Sequence, residues 1–147
     1  MQLLNFTLNE DLISLTYQGQ EIDLHNAWEL VDIRHDESRQ IVELCFTQYT
    51  DRRVPHAVPE RLTLLFRQVV HVFYQGHDKD YPEALIKQDQ GTIDIMGFSD
   101  GDPGRMDSVA GHMPRPELPA LIGILVTGSA IKIVAGTVEI VPSDAPA

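Results

Sequence analysis

Between Leu121 and Val141 the chain reads LIGILVTGSAIKIVAGTVEIV, an apolar run made largely of β-branched residues. Such side chains lose rotamer freedom in a helix and pack well on a pleated surface, so the run reads as strands. Gly128-Ser129 interrupts it where a tight hairpin turn would sit, since glycine accepts positive φ without steric cost. After the turn, Ile131, Ile133 and Ala135 alternate with Lys132 and Val134. Beyond Gly136 the apolar phase moves to Val138 and Ile140, opposite Thr137 and Glu139. A one-residue slip at a glycine is what a β-bulge produces. The expectation is a buried antiparallel hairpin against which the other strands pack. Lys132, Glu139 and the internal glycines distinguish the run from a membrane span.

The same alternation recurs upstream. Leu4, Phe6 and Leu8 mark a first strand, Leu12–Tyr17 a second, and Glu21–Arg34 carries the pattern on past Trp28. In residues 41–49, Val42, Leu44, Phe46 and Gln48 share one face, and Ile41, Glu43, Cys45 and Thr47 the other. Residues 61–75 (RLTLLFRQVVHVFYQ) fit two periods. Leu62, Leu65, Phe66, Val69, Val72 and Phe73 form a helical stripe between Pro59 and Gly76. Leu62, Leu64 and Phe66 also alternate as a strand, with a slip near Arg67-Gln68 before Val69, His71 and Phe73. The valines and phenylalanines of the second half, and β context on both sides, favour strands. Pro82–Lys87 fits one short helix, and residues 92–97 another strand. Loops are expected at 50–60, 76–91 and 99–119. The reading is an all-β, or β-rich α+β, antiparallel sandwich or barrel. It forms one domain over residues 1–141, with 142–147 a disordered tail.

Composition narrows the function classes. Eleven Lys+Arg stand against 22 Asp+Glu, a formal charge of −11. Nucleic acid and anionic membranes need clustered cations, so neither is expected as a partner, whereas a basic protein is compatible. The N-terminus lacks the pattern of a signal peptide, and the single Cys45 suits a reducing compartment, so a cytoplasmic protein is expected. Cys45 itself reads as a buried, inert thiol.

No nucleophile elbow, phosphate loop, dinucleotide fingerprint or HExxH zinc motif occurs, and no cofactor or catalytic residue is expected. Asp100, Asp102 and Asp107 gather in a glycine-containing loop in the manner of a calcium site. However, Gly104 falls where an oxygen ligand belongs and Gly111 where a bidentate glutamate belongs, so a solvated acidic turn is expected instead. His35-Asp36 and His77-Asp78 set imidazoles beside carboxylates, and Arg52-Arg53 is the one local concentration of positive charge. The binding candidates are thus Asp78, Asp80, Asp100, Asp102, Arg52 and Arg53, all on loops.

An early-strand Trp28, the following His35-Asp36, the set Leu62, Leu64, Phe66 and Val69, and the closing Gly128, Ile131 and Ile133 together resemble a known pattern. It is that of small bacterial β-sandwich proteins, some of them immunity proteins of polymorphic toxin systems. The resemblance spans residues 28–141 and rests on hydrophobic patterning. It implies a non-enzymatic protein that neutralises a toxin by binding. The alternatives are a metal- or ligand-binding enzyme using His77, Asp78, Asp100 and Asp102, and a structural domain that self-associates through strand edges.

Overall fold

The computed structural model describes residues 1–49, 60–102, 110–111 and 113–142. Its strands are β1 (Gln2–Leu3), β2 (Phe6–Leu8), β3 (Ser14–Tyr17), β4 (Gln20–Asp23), β5 (Trp28–Asp36), β6 (Ile41–Gln48), β7 (Arg61–Arg67), β8 (His71–Gln75), β9 (Ile93–Ser99), β10 (Ala120–Leu125), β11 (Ala130–Val134) and β12 (Thr137–Pro142). One helix, α1 (Glu83–Asp89), joins β8 to β9. Three sheets result, ordered β1-β12-β7-β6-β5, β8-β11-β10-β9 and β2-β3-β4. The large sheets end at β1 and β5 and at β8 and β9, so the fold is antiparallel β without a closed barrel. Only the short β1–β12 pairing is parallel among the described residues. Residues 61–75 are two strands, with no helix among them.

Alternation sets the core of the five-stranded sheet. Val42, Phe66 and Val138 lie side by side in register, as do Leu44, Leu64 and Ile140, and all six are buried. These rows join Trp28, residues of the four-stranded sheet such as Met96, Leu121 and Ile133, and Phe6, Leu15 and Ile22 of the small sheet in one continuous cluster. Cys45 lies on the other face of β6. It is half-buried, with the Thr63 hydroxyl 3.7 Å from its Sγ, so it is not the core thiol expected from its apolar neighbours.

The slip at Gly136 is a corner between sheets. β11 pairs with β8 in the four-stranded sheet, and β12 pairs with β7 in the five-stranded one. β7 and β8 make the same crossing at residues 68–70, which accounts for the second slip in the sequence. Gln68, at φ 55°, and Gly136 meet at this corner. A Cβ on Gly136 would stand 3.1 Å from the Cβ of Gln68. Strands that switch sheets turn at such bends, and a bulge would have kept β12 beside β8.

The strand expected across Leu4–Leu8 is shortened to β2, beginning at Phe6, while Gln2–Leu3 just before it join the other sheet as β1. Asn5 makes the break by imitating a backbone pair. Its Nδ2 donates to the Ile140 carbonyl and its Oδ1 accepts from the Ile140 N–H, each at 2.8 Å. At the far end β12 runs through Pro142, one residue past the expected domain boundary, and 143–147 lie outside the described residues.

The β2–β3 turn is held by Asp11. Partial burial by itself would raise the Asp11 carboxyl, but bonds from the Ile13 N–H, the Ser14 hydroxyl and the Ser14 N–H outweigh it and hold the group below its ordinary 3.8. A carboxyl lowered on folding contributes stability that is present above its ordinary value and lost as pH falls through the lowered one. Asp11→Ala should therefore melt below the parent at pH 7, and the two curves should converge below pH 3.8. Melting temperatures across that range provide the check, and an unchanged gap at low pH would contradict it.

Candidate functional site

The loop carboxylates singled out from sequence are not brought together. The Asp78 N–H donates to the Thr127 carbonyl at 2.8 Å, and the Asp78 carboxylate covers Gly128 in the β10–β11 turn. Gly128 sits at φ 84°, and a Cβ there would fall 2.3 Å from Asp78 Cγ. Asp78 is thus a turn-packing residue, and Asp80 is exposed two positions on. Asp100 and Asp102 lie at the opposite end of the same hairpin, where a Cβ on Gly101 would touch Val134 at 3.5 Å. The Asp102 N–H donates to Asp100 Oδ1 at 3.2 Å, an Asx-type turn. Arg52, Arg53 and Asp107 lie outside the described residues. Among the described residues no three His, Cys, Asp or Glu side chains gather as a metal would require.

A different place collects exposed apolar surface. β5 ends one large sheet and β8 the other, and the two edges border a common cleft. Val72, Tyr74, Leu125 and Ile131 form one wall, and Leu30, Val31, Asp32 and Ile33 the other, around a volume of about 480 Å³. A second cavity of about 350 Å³ continues it past Val72 to His35, Glu37, Gln40 and His71. Eight large apolar side chains are exposed among the described residues, and four border this cleft. They are Val31 at 56%, Ile33 at 37%, Val70 at 73% and Tyr74 at 61%. Such concentration on one strip marks an interaction surface more often than chance scatter does.

Local sequence explains the strip. A register shift at Val31, where β5 bulges against β6, sets residues 30–33 along the cleft, and beyond it β5 is exposed through Asp36. In β8, Val72 and Tyr74 alternate toward the cleft. α1 has no side-chain cap and buries none of its residues, so so short a helix gains little from its own hydrogen bonds. The Tyr81 hydroxyl, bonded to Asp89 Oδ2 at 2.5 Å, ties its ends together. The helix delivers Gly91, whose carbonyl accepts from the Leu30 N–H at 2.8 Å and covers the start of the β5 edge.

Past Leu30 the β5 edge makes no further main-chain bond outside its own sheet among the described residues, and β8 makes none. The opposite edge of the four-stranded sheet is covered. The Met96 N–H donates to the Leu12 carbonyl at 2.7 Å, and the Phe98 carbonyl accepts from Ala110 at 2.8 Å. Exposed edges are templates for another chain, and proteins usually blunt or cover them. His71 adds an Nε2 that is buried without a hydrogen-bond partner at the cleft's far end.

A third opening, of about 830 Å³, lies between Phe6, Leu8, Phe98 and Pro114–Glu117. The β5–β8 cleft is bounded by described residues of two sheets, and it is the candidate site.

Sequence reading did not single out these residues. The signal was Val31 and Ile33 in β5 and Val70 and Tyr74 about β8, while the bulge after Leu30, which returns Ile33 to the face of Trp28 beside Leu44, leaves no mark in the sequence. Comparison with protein-family models, with curated proteins and with solved structures found no match. No helix among the described residues is long and apolar enough to cross a membrane.

Proposed function

We propose that this protein acts by binding another protein, one of basic character, along the β5–β8 cleft, and that it performs no catalysis. Neutralisation of a toxin by an immunity-type protein is the specific form of this reading. The observation that carries it is the pairing of two strand edges, β8 and β5 past Leu30, that make no main-chain bond to other described residues outside their sheets, with four exposed apolar side chains on one strip. The formal charge of −11 supports a cationic partner, whose association would be steered electrostatically and slowed by salt. The scattering of Asp78, Asp80, Asp100 and Asp102 speaks against the loop-centred enzyme alternative.

Affinity capture from source-cell lysate tests the proposal, using the parent chain beside Ile33→Asp and Tyr74→Ala. Tyr74 is 61% exposed and Ile33 37%, so a melting curve for each variant accompanies the capture and shows that it is folded. A basic protein retained by the parent, released by salt and lost in both variants is the expected result. Capture indifferent to the two substitutions, or turnover of a small molecule, would overturn it. The same edges also suit self-association. A concentration-dependent dimer in sedimentation, abolished by Ile33→Asp, would favour that reading instead.

A further inference from the structure

Resting on the binding reading, we infer that the cleft takes an extended, basic segment of the partner, which adds to β8 as a further strand. Main-chain chemistry argues for a strand over a helix. β8 pairs with β11 along all five of its residues, and its other side makes no bond to the rest of the described chain. Among the described residues its outward N–H and C=O groups meet no main-chain partner, and neither do those of β5 beyond Leu30. An extended segment satisfies such groups with its own backbone, whereas a helix has already bonded its backbone internally and offers only side chains. The cleft also suits a strand's alternation. Side chains two apart on the guest would point inward between Val72 and Tyr74 on one wall and Val31 and Ile33 on the other.

Charge fixes the guest's outward residues. Residues 29–39, which form β5 and its turn, carry four carboxylates, Glu29, Asp32, Asp36 and Glu37, against two guanidiniums. Both guanidiniums are engaged within that set, Arg34 with Asp32 at 2.8 Å and Arg39 with Asp36 at 3.7 Å. β8 carries no Asp, Glu, Lys or Arg. The rim therefore presents surplus negative charge beside an uncharged docking strand. The chemistry that fits is a segment alternating aliphatic or aromatic residues with Lys or Arg.

The experiment is selection of a displayed library of random nine-residue peptides on the full chain, counter-selected on Ile33→Asp and, separately, Tyr74→Ala. Enriched peptides should alternate apolar and cationic residues. A synthetic representative should slow hydrogen exchange in β8 and lose at least tenfold in affinity when alternate backbone nitrogens on one edge are methylated. Methylating the other set should change affinity much less. Enrichment of apolar residues at helical spacing, or of acidic peptides, would overturn this inference and leave the cleft as the binding site. No enrichment beyond what both variants also retain would overturn the binding reading itself.

Discussion

Lys132→Glu should cost about 3–5 kcal/mol of stability, although it exchanges one charged residue for another on a strand. Lys132 is fully buried. It stands between Ile122 and Phe73 on the face of β11 turned away from Ile131 and Ile133, and its ammonium donates to the Asp102 carbonyl. A carboxylate there would be desolvated and would face a carbonyl oxygen with no proton to offer it. Lys132→Met separates charge from volume. It keeps an apolar stem and leaves one carbonyl short of a donor, a loss of about 1–3 kcal/mol. Urea denaturation of the three proteins reads the order parent, Met, Glu. A glutamate variant as stable as the parent would mean that the side chain at 132 reaches water.

Phe66→Ala is expected to cost about 3–5 kcal/mol as well, through a different cause. Phe66 is fully buried in β7 between Val42 of β6 and Val138 of β12. It belongs to a core cluster that includes residues of all three sheets. Truncation removes a ring's worth of contacts, and strands fixed by cross-strand hydrogen bonds on both sides cannot close the gap. At about 2–4 °C per kcal/mol for a chain of this size, the midpoint should fall by roughly 6–20 °C. Phe66→Leu, which refills most of the volume, should recover much of the loss. If alanine and leucine behave alike, the site is not tightly packed.

Most strand positions were legible in the residues. The alternation of Val42, Leu44 and Phe46 with Glu43, Cys45 and Thr47 fixed which face of β6 is buried, and Gly128 fixed the hairpin turn. Even the ambiguous 61–75 segment betrayed its break at Gln68. These features are local. A side chain's face depends on its neighbours one and two positions away, and a turn depends on the φ its residue tolerates.

The destination of each strand was decided only by the tertiary structure. The phase slip at Gly136 reads alike whether the strand bulges in place or passes to another sheet. The choice fell to β7, more than seventy residues earlier in the chain, which offers β12 a partner and bends at Gln68 to meet it. Lys132 looked like the polar half of an alternation, yet β10 and β11 are buried on both faces and the strand packs a charge inside. The candidate site followed the same rule. Val31 and Ile33 on β5 and Val72 and Tyr74 on β8 belong to different sheets, and each pair alone is an ordinary apolar step along a strand. Alternation states that a side chain leaves the strand plane but not what it meets there. That depends on pairings between distant segments, whose energies appear only when the sheets are assembled.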